Sequence, residues 1–435
     1  MPDVPREVRQ GLDEVQEHAG QEAPLAPVSR SFLGRMGYSY AVLRVRNFRF
    51  LFLSNICINF AQWFQSIGLG WLVLQLTGSA AQMGAITATQ GVALLVTSPF
   101  AGVLSDRVPR RTLLMSTTTV NAVQALSLAT LVATGYGHLW QLYAFAVVGG
   151  IANSITQPVR QAFVYDAVGR EAVARAVPIN NLAQSGTRAL GPVLAGIVIG
   201  FVGSSSAFYA QGALALLAMV LTSRIGITGQ VRAAGIHESP LRTLTQGLRY
   251  VAGTRTLREQ VLIQFIPVML LYPYVQFLAF FAVHLHGGPR TYGVLATGAG
   301  YGGLLALLIL TTMGEVPRKG LVLLVSACAY PVSVALFSLS PNVPVAMAFL
   351  VINGFCNQIY MTMQSTLFLL SAREDMRGRV MGIYSMINGL GPIGQLGLGF
   401  AISIWGPSHA VLAFALTAVV LLLFTAFNAR TVRAA

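Results

Sequence analysis

The stretch GVLSDRVPRR, Gly102 to Arg111, is a charged island between two long apolar runs, 80–103 and 112–134. A helix needs ~20 mostly apolar residues to cross a hydrocarbon core about 30 Å thick, and each flanking run meets that length. The island therefore reads as a tight connection between two spanning helices, with its charges gathered on one side of a bilayer. The pattern repeats outward in both directions. Apolar runs cover 50–76, 80–103, 112–134, 139–163, 176–202 and 207–224, a polar stretch covers 225–258, and six more runs cover 260–285, 291–313, 320–340, 344–370, 379–404 and 409–428. The expected fold is an all-α membrane protein with about twelve transmembrane helices in two pseudo-symmetric six-helix bundles. Its divisions are a cytosolic tail (1–45), an N-terminal bundle (46–226), a cytosolic linker (227–258) and a C-terminal bundle (259–430).

Composition supports that reading. Of 435 residues, 54% are hydrophobic and only 10% charged, whereas soluble domains carry about 25% charged residues. A soluble chain of this size could not cover its surface. The net charge of +14 would suit a nucleic-acid binder, but such a protein is not this apolar, so no nucleic-acid partner is expected. Cys57, Cys328 and Cys356 each lie in an apolar run with no Cys or His at ligand spacing. Neither a metal site, a disulfide framework nor a cofactor is expected. The acidic first 24 residues do not resemble a signal peptide.

The basic residues give an orientation. With the N-terminus inside, the inner connections collect Arg107, Arg110 and Arg111; Arg160, Arg170 and Arg175; the linker arginines; Arg318 and Lys319; and Arg373, Arg377 and Arg379. The outer connections hold Arg290, and Arg188 falls inside a span. This is the positive-inside asymmetry, so both termini are expected in the cytosol of a multi-pass cell-membrane protein.

Two pieces of the chain recur. Val108-Pro109-Arg110-Arg111 returns as Val316-Pro317-Arg318-Lys319, and Arg170-Glu171 returns as Arg373-Glu374. At the second offset Gly186, Gly191 and Gly196 match Gly389, Gly394 and Gly399. Parallel repeats imply a pseudo-two-fold axis along the membrane normal, with a substrate site between the halves near the midplane.

Together these residues resemble the major facilitator superfamily of transporters. Gly102 to Arg111 is similar to its loop signature G-x-x-x-D-R-x-G-R-R, with Pro109 at the second glycine. GTRALGPVLAG, Gly186 to Gly196, resembles the glycine-proline motif of its exporters. PVRQAF from Pro158 and RGRVMG from Arg377 resemble the branch of enterobactin exporters and macrolide efflux pumps. The resemblance implies that Asp106, with Arg107, Arg110 and Arg111, latches the inner ends of the two halves. Gly102, Gly191 and Pro192 would belong to the same gating machinery.

Candidate cavity residues follow from position and spacing. Arg188 lies 13 residues beyond Arg175, or ~20 Å along a helix, which places it near the midplane. A guanidinium there costs at least ~2.5–3.5 kcal/mol unless it faces water or a partner. Pro192, four residues on, deprives the Arg188 carbonyl of its helical donor. Polar side chains at helical spacing add Asn59 and Gln62, Asn181 and Gln184, Tyr272 and Gln276, Asn357, Tyr360 and Gln364, and Asn388. Polar faces in lipid must look inward, toward other helices or toward water.

No Asp or Glu falls at the middle of a span. A proton would then ride on Asp166, Glu259, His284, His286 or the substrate itself. The fourth span is read as lacking the arginine that many proton-coupled drug exporters of the superfamily carry there. The expected activity is secondary export of a small amphipathic molecule (a drug, macrolide-like or siderophore-like compound) by a proton-coupled monomer in the bilayer. A lysophospholipid or other metabolite transporter, or an uptake system, is the alternative. A membrane-embedded enzyme would need a His, Asp or Cys cluster near an interface, and the sequence offers none.

Overall fold

A computed structural model describes residues 41–227, 240–313, 316 and 318–428. The expected tail up to residue 40 and the linker segment 228–239 lie outside the described residues, as do Gly314, Glu315 and Pro317 at the second copy of the charged loop.

Helices Arg46–Thr77, Ala80–Arg107 and Arg110–Ala133 form the first three spans. Leu139–Gly169, Ile179–Val202 and Ser205–Ser223 complete the first half. The second half contains Arg255–His284, Pro289–Met313, Lys319–Ser338, Val343–Ser371 and the stretch Arg377–Asn428. That last stretch breaks at Gly389–Leu390 and kinks at Gly406 (φ 77), giving the eleventh and twelfth spans. Among the described residues, eight helical stretches are long and apolar enough to cross a membrane. The first three spans are as long but more polar, and the first of them turns amides into the bundle.

Short turns join the spans at one end, and local chemistry sets them. Gly78 takes a left-handed conformation (φ 61) and returns its N–H to the Leu74 carbonyl, after which the Ser79 hydroxyl caps the second span at Gln82 N. The Asn342 side chain caps the tenth span at Val345 N, 3.1 Å away.

Two departures from the sequence reading matter. Residues 164–175 were expected to be a loop, but helix runs from Leu139 to Val202, interrupted only at Gly169 (φ 75, ψ 175). Hydropathy reports where a chain leaves lipid, not where its helix ends. Arg160, expected in a cytosolic connection, therefore sits within the fourth helix and is buried. The second departure is the seventh span. It breaks at Leu271 into a 3-10 turn, Tyr272–Phe277, before resuming as Leu278–His284. Pro273 has no N–H to offer the Met269 carbonyl, so the helix cannot continue regularly through it.

The halves meet along two seams related by the internal repeat. On one, the second and eleventh spans cross. A Cβ built at Gly84 would lie 2.8 Å from the Gln395 carbonyl oxygen, one at Gly399 2.6 Å from the Ala80 oxygen, and one at Gly91 against Pro392. On the other, the fifth and eighth spans cross. A Cβ at Gly293 would lie 2.6 Å from the Pro192 oxygen, one at Gly196 2.6 Å from the Pro289 oxygen, and one at Gly300 2.7 Å from the Arg188 oxygen. Gly196 and Gly399, matched at the second offset, meet Gly293 and Gly84, so the closest approaches of the two seams are equivalent. Glycine lets two backbones touch at these points, a close approach that any side chain would block. The side-chain hydrogen bonds among the described residues join groups of the same half, so these seams are held by packing and, on the second, by the Arg290 guanidinium over the Phe201 ring at 3.9 Å.

The linker also contains the amphipathic helix Pro240–Gly253. It docks on the second half. Gly247 faces Ile383 and Arg379, the Arg373 guanidinium covers the Tyr250 ring at 5.6 Å, and the Arg373 N–H donates to the Tyr250 hydroxyl.

Candidate functional site: a polar cavity between the halves

Both seams lie toward the end of the short turns. On the other side of them, the halves enclose a cavity with two joined lobes. The larger, about 770 Å³, is lined by Asn59, Gln62, Trp63, Asn181, Gln184 and Arg188 of the first half, and by Gln276, Gly300, Gly303, Gln358 and Thr362 of the second. The smaller, about 310 Å³, is lined within the first half by Asn55, Gln157, Arg160, Gln161 and Asn180, and shares Asn59, Gln62, Asn181 and Gln184 with the larger. The larger lobe is of ordinary size for a small-molecule site.

Helical spacing explains the wall. Asn55, Asn59 and Gln62 repeat at four and three residues and share one face of the first span. Asn181, Gln184 and Arg188 do the same on the fifth. Asn153, Gln157 and Arg160 form a similar stripe on the fourth, a signal present in the sequence but hidden once Arg160 was assigned to a loop. Arg188 lies beside the innermost glycine contact, where its carbonyl, without a helical donor because of Pro192, faces Gly300.

Of the candidate cavity residues, Asn59, Gln62, Asn181, Gln184, Arg188 and Gln276 come together at the cavity. The remainder lie elsewhere. The Tyr360 hydroxyl, fully buried, donates to Gln264 Oε1 (2.7 Å) and the Ile263 carbonyl (3.1 Å). The Gln364 amide donates to the Gln260 carbonyl at 2.7 Å, and Asn388 accepts from Gln264 at 2.7 Å. The Tyr272 hydroxyl meets Met361 Sδ, and Asn357 is absent from both linings, its Oδ1 buried without a partner. The cavity face of the tenth span is Gln358 and Thr362 instead. Tyr360 and Gln364 are consumed in a dry network that ties the seventh span to the tenth, with Asn388 joining it from the eleventh. Freed backbone explains part of this network, because Pro267 leaves the Ile263 carbonyl without its helical donor and Tyr360 supplies one.

The charged loop also takes a definite arrangement. The second helix continues through Gly102 to Arg107, and Arg107 is exposed. Arg110 holds Asp166 at 2.7–2.8 Å, joining the third span to the fourth. Arg111 donates to the Ser223 carbonyl at 2.6 Å, joining the third span to the sixth. Both arginines are thus engaged within the first half. The Asp106 carboxylate and the surroundings of Gly102 lie outside the described residues. Gly191 packs against Trp63 of the first span, and the Pro192 carbonyl meets Gly293.

Comparison with known proteins agrees with this geometry. The chain is 21% identical to a staphyloferrin A transporter of Staphylococcus aureus, covering 82% of this chain and 90% of that one. It is 26% identical to the multidrug efflux pump Tap of Mycobacterium tuberculosis (80% and 85% covered) and 24% identical to an enterobactin exporter of Citrobacter koseri (86% and 90%). Among solved structures, a nucleoside transporter superposes with a TM-score of 0.73 at 15% identity, covering 88% of this chain and 99% of the other. A bacterial homologue of the lysosomal transporter Spinster, in an inward-facing and unoccupied conformation, superposes at 0.63 and 16% identity (91% and 97%). Residues 38–434 match the family described as transmembrane secretion effector, and the chain belongs to that family of multi-pass transporters within the major facilitator superfamily.

Proposed function

We propose that this protein exports a small amphipathic molecule across the cell membrane by rocking of bundles 46–226 and 259–430 about the cavity. The observation that carries the reading is a polar chamber walled by both halves and closed at one end by seams that contain glycine and no side-chain hydrogen bonds. Parting such a seam breaks dispersion contacts and the Arg290–Phe201 stacking without breaking a side-chain hydrogen bond among the described residues, which keeps the two orientations close in free energy. The basic connections support a cytosolic placement of the termini and of the open end of the chamber. Export is the direction assigned to the Tap efflux pump and the enterobactin exporter that the chain resembles.

Proton coupling belongs to the proposal. Among the described residues no carboxylate or histidine lines the cavity, and Asp166, two residues past the lining residue Val164, is a nearby acid whose side chain pairs with Arg110. The protein acts as a monomer, with the lipid bilayer as its other contact. Everted vesicles containing the protein test the reading: they should accumulate a lipophilic drug on energisation and lose it when the proton gradient is collapsed. Vesicles that accumulate neither a drug nor an organic anion under any gradient would overturn it.

A further inference from the structure

The smaller lobe holds a charge that the bundle does not neutralise. Arg160 is nine-tenths buried in the fourth helix, yet among the described residues it has one hydrogen-bond partner, the neutral Oδ1 of Asn55, and its Nε is buried with none. A guanidinium carries five donors. Asn55 is itself fixed, because its amide donates to Asn180 at 2.8 Å. The acidic group nearest in the sequence, Asp166, is turned to Arg110. In the adjoining lobe Arg188 has no hydrogen bond to any described residue. Among the described residues the two linings together contain two arginines and no Asp or Glu.

A guanidinium nine-tenths buried, as Arg160 is, forgoes much of its hydration, and the half-buried Arg188 adds a second positive charge to the same chamber. Such an arrangement persists when an occupant supplies the missing charge. Planar guanidinium groups match carboxylate geometry bidentately. The surrounding amides of Asn55, Asn180 and Gln184 add donors and acceptors for hydroxyl or amide groups. We infer that Arg160 and Arg188 form a two-point anion site, and that the transported molecule carries at least two carboxylates or equivalent acidic groups, one seated in each lobe.

The inference rests on the transport reading above, and the following experiment separates the two. Purified full-length protein in nanodiscs is titrated with citrate and with its neutral triethyl ester, following the fluorescence of Trp63, which lines the larger lobe. Citrate should bind at least tenfold more tightly than the ester. Loss of one charge-assisted hydrogen-bonding group should weaken citrate by about tenfold or more in Arg160→Gln and again in Arg188→Gln. Arg160→Lys keeps the charge and should retain part of the affinity, while a cooperative melting transition in the nanodisc reports that each variant is folded. Citrate no tighter than the ester, or insensitive to both glutamine variants, overturns the two-point site. A protein that pumps a neutral or cationic drug in vesicles while ignoring citrate would leave the transport reading standing and sink this one.

Discussion

Placing alanine at Gly196 and at Gly399 would put one methyl group into each seam at equivalent positions. The Cβ at Gly196 would stand 2.6 Å from the Pro289 carbonyl oxygen and 2.8 Å from Gly293 Cα; that at Gly399 would stand 2.6 Å from the Ala80 oxygen. A close carbon–oxygen contact is about 3.3 Å or longer, so each seam must open by roughly 0.7 Å. The opposing atoms are backbone and cannot rotate away. Overpacking of this kind costs typically 1–3 kcal/mol, and here only in the orientation that closes the seams. Each single variant should shift the balance toward the opposite orientation by about 5- to 150-fold, and the pair by more. The assay is a pulsed electron-spin distance measurement between labels at Tyr136 and Leu339, both exposed beside the short turns of opposite halves. The distribution should lengthen in Gly196→Ala and lengthen further in the double variant. A distribution identical to the parent's in properly folded protein would refute the idea that these glycines form the movable closure.

Other outcomes follow from named contacts. Arg110→Ala leaves Asp166 buried beside the third span without this partner and should lower stability by about 3 kcal/mol, seen as a lower melting temperature in detergent. Arg111→Ala removes a hydrogen bond to the Ser223 carbonyl and should cost only about 1 kcal/mol. Tyr360→Phe strips the donor from the Ile263 carbonyl and from Gln264 without touching the cavity. It should destabilise by about 1–3 kcal/mol while binding of a cavity ligand stays within about twofold, as read by paired melting and titration experiments. If the cargo is anionic, outward movement down the membrane potential gains about 2.3 kcal/mol per charge per 100 mV. Everted vesicles with an inside-positive potassium diffusion potential should then load citrate without any pH gradient.

Much of this was legible in the sequence because lipid imposes length. Runs such as 80–103 and 207–224 had to be spans, and the matched glycines Gly196 and Gly399 marked a repeat. What they touch was not legible, since Gly293 and Gly84 become their neighbours only after the halves assemble. Amide spacing located the cavity face on the first and fifth spans, where Asn59, Gln62, Asn181 and Gln184 look into open space. On the tenth it selected Tyr360 and Gln364, which are equally periodic but face helices rather than water. Period identifies a polar face but does not tell a wet one from a dry one. Arg160 was overlooked for a related reason: polar residues near a span's end read as loop, although the helix continues through them.

The alternating chamber is tested most directly at Gln184, which lines both lobes. In a variant lacking Cys57, Cys328 and Cys356, Gln184→Cys is exposed to a membrane-impermeant thiol reagent in everted and in right-side-out vesicles. Resting protein should label from the face that bears the termini, and labelling from the opposite face should appear with Gly196→Ala and Gly399→Ala combined. Labelling from neither face would reveal a dry junction, and equal labelling from both faces at rest would reveal a pore; either result would contradict the account.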